Sequence, residues 1–161
     1  MFLELFKGAA ALKLIQLMRG NRLMAPAGNL GLSRQQMPQI DSKYLDQLVQ
    51  WLATQEVGVD EKQWGLDKLK LVQAEYNREK VLSLIDTWGK KPSPPILVSN
   101  DGYVLDGSHR FLAKFNRKKE TGDGQRIKTL TVDLPARAAV DALRRFPGVQ
   151  FRNYSDKSLA K

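Results

Sequence analysis

Residues 100–110 of this 161-residue chain are Asn100-Asp101-Gly102-Tyr103-Val104-Leu105-Asp106-Gly107-Ser108-His109-Arg110. The Asn-Asp-Gly sequence predicts a hairpin turn, and the apolar residues after it predict a short strand. Gly107 then predicts a tight turn into a helix that begins near Ser108. The first N–H groups of a helix have no partner within the helix and carry partial positive charge. This stretch therefore predicts an anion site, most simply a phosphate site, at the start of that helix.

The segments on both sides of this stretch predict the rest of a small domain. From residue 66 onwards the predicted order is strand, helix, strand, strand, helix, strand, helix, which indicates an α+β fold with a small mixed sheet and packed helices. Gly58 to Gly65 is predicted as a turn region, and Asp41 or Ser42 as the cap of a helix that ends near Gln55. The other elements are predicted at Leu69 to Val72, Arg78 to Trp88 with Asn77 as its N-cap, Ile96 to Val98, Ser108 to Asn116, Ile127 to Leu134 and Pro135 to Phe146.

These elements predict three regions of the chain. Residues 1–65 form an N-terminal helical extension and linker, residues 66–150 form the domain, and residues 151–161 form a flexible tail. Residues 2–19 predict a helix that is apolar around much of its circumference. We expect it to pack against the domain, a second copy of the chain or a partner protein. No run of about 18 uncharged residues occurs, so a membrane span is not expected.

Composition limits the chemistry that the chain can perform. It has no cysteine and one histidine, which disfavours a zinc site and leaves a hard cation such as Mg²⁺ as the expected metal. The absence of cysteine also fits a cytoplasmic location. The net charge is +9, of which residues 106–161 contribute +7 from thirteen basic and six acidic side chains. This distribution predicts a polyanionic partner, or else reflects solubility alone.

The order of elements and the Gly107-Ser108-His109-Arg110 turn together resemble the ParB/sulfiredoxin superfamily. The resemblance covers about Asp67 to Leu134, and the Asp-Gly-x-His-Arg form is similar to that of many phage and plasmid members. It implies that the phosphates of ATP or CTP bind to Gly107, Ser108, His109 and Arg110. It also implies a location in the cytoplasm of a bacterium or a phage-infected cell. Sulfinic-acid reduction is not expected, because Ser108 stands where sulfiredoxins have their catalytic cysteine.

The resemblance leaves the roles of three residues open. His109 is either a phosphate contact or proton donor, or a residue that only makes local hydrogen bonds. Asp106 is either a ligand of Mg²⁺ or of water, or a cap that receives the N–H groups of the first helical turn. Glu75 lies where related serine kinases have a catalytic carboxylate, but a solvated loop glutamate is the alternative interpretation.

Four basic residues follow the motif, on or just after the same predicted helix: Lys114, Arg117, Lys118 and Lys119. They are either a solvated face or a contact surface for a nucleic-acid backbone.

Three functions therefore compete. The first is an NTP-dependent enzyme or switch that hydrolyses NTP or transfers its phosphate. The second is a DNA-binding or nuclease accessory protein of a phage or mobile element. The third is a non-catalytic interaction protein that uses helix 2–19.

Overall fold

The computed structural model describes residue 23 and residues 30–32, 37–72, 76–90, 92–121, 126–147 and 149–150. Predicted helix 2–19, Glu75 and the tail 151–161 lie outside these residues. The helices in the described ranges are α1 (Leu45–Thr54), α2 (Arg78–Thr87), α3 (Ser108–Thr121) and α4 (Ala136–Arg144). The strands are β1 (Gln39–Ile40), β2 (Val59–Gly65), β3 (Lys70–Leu71), β4 (Ile96–Ser99), β5 (Tyr103–Asp106), β6 (Arg126–Val132) and β7 (Val149–Gln150).

Five strands form one mixed sheet in the order β2-β6-β4-β5-β3. The β2–β6 and β4–β5 pairs are antiparallel, whereas β6–β4 and β5–β3 are parallel. A second, two-stranded sheet joins β1 to β7, with Gln39 opposite Gln150. The prediction of an α+β fold class, with a small mixed sheet and packed helices, is confirmed.

Helices cover both faces of the larger sheet because side chains alternate along each strand. In β4, Leu97 belongs to the core with α1 and α4, whereas Ile96 and Val98 belong to the core with α2 and α3. On the α2 and α3 side the largest fully buried side chains include Val81, Ile85, Phe111 and Leu112. Helices α2 and α3 therefore lie together on one face, and this arrangement positions the site described below.

The predicted hairpin turn is present between β4 and β5. Gly102 has a φ of +88°, and its N–H donates to the Ser99 carbonyl at 3.0 Å. A Cβ at this position would lie 3.0 Å from the carbonyl oxygen of Lys68. The buried Ser99 hydroxyl donates to Asp101 and accepts the Tyr103 N–H at 3.0 Å. These contacts fix the direction in which β5 approaches Gly107.

The turn predicted for Gly58 to Gly65 is wrong, because Val59–Gly65 is strand β2. It pairs with β6 along its whole length, from Val59 opposite Val132 to Gly65 opposite Arg126. Its central residues, Asp60 to Gln63, are exposed at the edge of the sheet, so they lack the apolar alternation that identifies a half-buried strand. The sheet therefore includes residues that precede the predicted boundary at residue 66.

Smaller differences occur at the ends of helices. Asp41 caps a 3-10 helix, Ser42–Tyr44, and α1 follows it directly. Pro135 is the N-cap of α4 rather than its first helical residue, and α3 continues to Thr121. Within the described ranges, none of the helices combines the length and apolar character that crossing a membrane requires.

Candidate functional site

The N-terminal ends of α2 and α3 lie next to each other. Asn77 is the N-cap of α2, and its Oδ1 accepts the Lys80 N–H at 3.0 Å. The Asn77 backbone N–H donates to Nε2 of His109, in the first turn of α3, at 2.9 Å. Each helix start carries partial positive charge, so their proximity gives this side of the molecule an electropositive edge.

A cleft of about 420 Å³ lies beside these helix ends. One part of its wall is the predicted motif, from Asp106 to Arg110, joined by Lys80 of α2. The other part is the segment Met37–Asp41, in which Met37, Pro38 and Ile40 are apolar, together with Leu84 and Leu105. The cleft thus has a polar side that includes two cationic side chains and a second side that is mainly apolar.

Position 107 requires a glycine because of its backbone conformation and its close packing. Its φ is +93°, a region that L-residues with a Cβ rarely adopt. A Cβ here would lie 2.6 Å from Cγ2 of Ile96 and 2.9 Å from Nη2 of Arg110. The Gly107 carbonyl accepts the Phe111 N–H at 2.9 Å, which is the first backbone hydrogen bond of α3. The glycine therefore sets the start of the helix and allows the Arg110 guanidinium to approach the turn.

Arg110 brings a positive charge into the cleft. Its Nη1 donates to the carbonyl of Pro94, and its side chain is half-buried. Burial lowers the pKa of the Arg110 guanidinium, while the nearby Asp106 raises it. An arginine stays charged at neutral pH and has five N–H donors, so the bond to Pro94 uses only part of its capacity. This geometry is suited to holding an anion with a charge-assisted hydrogen bond.

Asp106 links the start of α3 to the segment Met37–Asp41 of the cleft lining. Its Oδ1 accepts the Gly107 N–H at 2.9 Å, and its Oδ2 accepts the Ile40 N–H at 3.2 Å. Burial raises the pKa of Asp106, and the Ile40 N–H, Arg110, the Gly107 N–H and Lys80 oppose that increase. Asp106 therefore accepts N–H groups from Gly107, just before α3, and from Ile40, whereas the prediction was a cap for N–H groups within the first turn.

The residues around Asp106 bear on its predicted role as a magnesium ligand. Among them there is no group of three or more His, Asp or Glu side chains close enough to hold a metal ion. Both carboxylate oxygens of Asp106 already accept a backbone N–H. The metal-binding role of Asp106 stays a prediction, without neighbouring protein ligands to support it.

His109 lines the cleft and makes a local hydrogen bond. Its side chain is 8% exposed, and Nε2 is the acceptor for the Asn77 N–H. A ring nitrogen that accepts a hydrogen bond carries no proton, so Nε2 is not a proton donor in this arrangement. The local hydrogen bond that sequence offered as the alternative is therefore present.

The basic residues after the motif lie further along α3, next to the C-terminal half of α2. Lys114 places Nζ 6.0 Å from the centre of the Trp88 ring. Arg117 donates from Nη1 to the Ile85 carbonyl at 3.2 Å. The side chains of Lys118 and Lys119 are outside the described part of the structure. Arg117 thus contacts α2, Lys114 lies near the Trp88 ring that follows it, and their predicted contact with nucleic acid stays untested.

Sequence reasoning missed two parts of the cleft. Lys80 lies in the first turn of α2, where an acidic residue is usually favoured. A lysine at this position was therefore a sequence signal for part of the cleft. The segment Met37–Asp41 gave no such signal, because pairing with β7, contact with Asp106 and burial in the core with α1 and α4 bring it here.

Comparison with known proteins does not extend this description: no protein-family model, curated protein or solved structure matches the chain. Function is therefore inferred from the residues of the cleft.

Proposed function

We propose that the chain binds a nucleoside triphosphate, ATP or CTP, with its phosphates at the first turn of α3. The observation that carries the proposal is the convergence of two helix N-termini with Arg110 and Lys80 around one cleft. Backbone N–H groups at residues 108–110 are the donors that a helix start offers to an anion. The Ser108 side chain, which is half-buried in the cleft wall, adds a hydroxyl donor.

The electrostatics of the cleft support a phosphate ligand. Lys80 and Arg110 supply two positive charges, and the dipoles of α2 and α3 add to them. Asp106 and Asp41 also line the cleft. Both carboxylate oxygens of Asp106 accept a backbone N–H, and these donors offset part of the negative charge that Asp106 presents to the cleft.

The fold also supports membership of the ParB/sulfiredoxin superfamily as part of the proposal. The observed β4–turn–β5–Gly107–α3 sequence is the arrangement that the resemblance implies. In that superfamily the corresponding turn binds nucleotide phosphates. Gly107 and Arg110 occupy the matching positions, and both line the cleft.

The proposed chemistry is hydrolysis of the triphosphate or transfer of its terminal phosphoryl group. Such reactions depend mainly on positioning and charge neutralisation. Arg110 would neutralise charge on the phosphates, and the first turn of α3 would orient them. We assign no step to a metal ion held by the protein.

Thermal unfolding with a ligand panel tests nucleotide binding. The panel comprises ATP, CTP, GTP, UTP, tripolyphosphate and inorganic phosphate, each with and without Mg²⁺. A nucleotide at 100 times its Kd should stabilise the chain by roughly 2.7 kcal/mol. If millimolar ATP and CTP leave the unfolding transition unchanged, the proposal is wrong. Release of inorganic phosphate from any nucleotide that binds then separates turnover from binding alone.

A further inference from the structure

We propose that the segment Met37–Asp41 is the base-binding wall of the cleft and that Gln39 hydrogen-bonds the edge of the nucleobase. This inference rests on the proposed nucleotide binding. It names the part of the cleft that holds the nucleobase. It assigns a ligand-binding role to a segment that lies outside the region resembling a known superfamily.

The two walls of the cleft differ in chemistry as the two ends of a nucleotide do. The motif wall has helix N–H groups, Arg110 and Lys80, which suit phosphates. The cleft is also lined by the apolar residues Met37, Pro38 and Ile40, and by the half-buried Leu84 of α2. Apolar side chains pack against the faces of an aromatic base. The volume of about 420 Å³ lies within the range of roughly 300–1,000 Å³ that small-molecule sites occupy.

The base-binding wall is held in place from three sides. Gln39 and Ile40 pair with β7, and the Ile40 N–H donates to Asp106 at 3.2 Å. Met37 and Ile40 are also buried in the core with α1 and α4. A wall fixed before the ligand arrives costs little ordering entropy on binding.

Gln39 is the residue of this wall best suited to contact a base edge. Its side chain is half-buried and lines the cleft, whereas its backbone pairs with Gln150. No hydrogen bond joins its side-chain amide to another described residue. An amide has both donors and an acceptor, and it can pair with a base edge through two hydrogen bonds, as glutamine does with adenine.

Calorimetric titration of the full chain with ATP, CTP and tripolyphosphate tests this assignment. Tripolyphosphate carries the phosphates without a base. We expect Gln39→Ala to weaken the tighter-binding nucleotide about tenfold and to leave the affinity for tripolyphosphate unchanged. Gln63→Ala, which truncates an exposed amide on β2, is the matched control and should bind all three ligands as the unmodified chain does.

The outcomes separate this inference from the proposed function. The assignment of the base-binding wall is wrong if Gln39→Ala binds nucleotide as tightly as the unmodified chain does. It is also wrong if the substitution weakens the affinities for nucleotide and tripolyphosphate equally. In both cases the proposal of phosphate binding stands. The wall is also wrong if the unmodified chain binds tripolyphosphate as tightly as nucleotide. If none of the three ligands binds, the proposed function fails and the base-binding wall fails with it.

Discussion

His109 accepts the backbone N–H of Asn77 at Nε2, with a separation of 2.9 Å between the two nitrogens. This hydrogen bond joins the first turn of α3 to the N-cap of α2, so it holds together the two helix ends beside the cleft. Since His109 is only 8% exposed, water cannot readily replace the ring nitrogen as an acceptor.

Replacing His109 therefore tests whether the link between the helices contributes to stability. His109→Phe keeps an aromatic ring but leaves the Asn77 N–H without its acceptor. We expect the free energy of unfolding to fall by about 1–3 kcal/mol, measured by urea denaturation. His109→Gln, which retains a side-chain oxygen acceptor, should lose less. Equal stability of His109→Phe and the unmodified chain would show that the hydrogen bond contributes nothing.

Three glycine-to-alanine substitutions separate backbone strain from close packing. Gly58→Ala adds a Cβ in open space at a φ outside the left-handed region and should change stability little. Gly89→Ala adds one in open space at a φ of +84°, so about 1–2 kcal/mol of backbone strain is expected. Gly107→Ala combines a φ of +93° with a Cβ 2.6 Å from Ile96 and should lose the most stability. Thermal or urea unfolding gives the order, and a Gly107→Ala loss no larger than that of Gly89→Ala would contradict the packing argument.

The half-buried carboxyl of Asp106 predicts a pH dependence with a definite sign. Burial raises its pKa above the ordinary value of 3.8, so the folded chain retains this proton to a higher pH than the unfolded chain does. Its contribution to stability therefore falls as pH rises from about 3.8 through the raised pKa.

Asp106→Asn cannot titrate, so its stability relative to the unmodified chain should increase across that pH window. Urea unfolding at a series of pH values measures the difference. Asp60→Asn on the exposed β2 edge controls for the removal of one negative charge. A difference between Asp106→Asn and the unmodified chain that stays constant or decreases with pH would contradict the prediction.

Arg117 contributes to the packing of α3 against α2 through its bond to the Ile85 carbonyl. Arg117→Gln should therefore lower the free energy of unfolding by about 0.5–1.5 kcal/mol. Retention on immobilised DNA at low salt, measured on the same variant, tests the sequence-based interpretation of this residue. Weaker DNA retention with unchanged stability would favour the nucleic-acid role over the structural one.

Local sequence signals predicted the part of the fold that contains the motif. The turn at Gly102, the strand after it and the start of α3 near Ser108 depend on residues close together in the chain, so composition and spacing were sufficient. Asn77 was likewise predicted as an N-cap, and its Oδ1 accepts the Lys80 N–H. Each of these features depends only on residues that are neighbours in the sequence.

Features decided by distant residues were not predictable in the same way. Strand β2 carries an exposed, charged sequence, and its pairing with β6 rather than any apolar pattern makes it a strand. Segment Met37–Asp41 reaches the cleft because Ile40 contacts Asp106, 66 residues away. Arg117 likewise follows the motif in sequence, yet it contacts α2. In each case the role of the segment or residue depends on contacts with residues far away in the chain, which its amino-acid type alone does not indicate.

Binding of ATP and CTP to Arg110→Gln, measured by calorimetry in the presence of Mg²⁺, tests the central claim most directly. The substitution removes the guanidinium charge at the first turn of α3, while Arg126→Gln removes an exposed one from β6 as a matched control. A charge-assisted hydrogen bond contributes about 1.5–3 kcal/mol, so Arg110→Gln should weaken nucleotide binding at least tenfold, and Arg126→Gln should not. Equal affinities of folded Arg110→Gln and the unmodified chain would contradict phosphate binding at this turn.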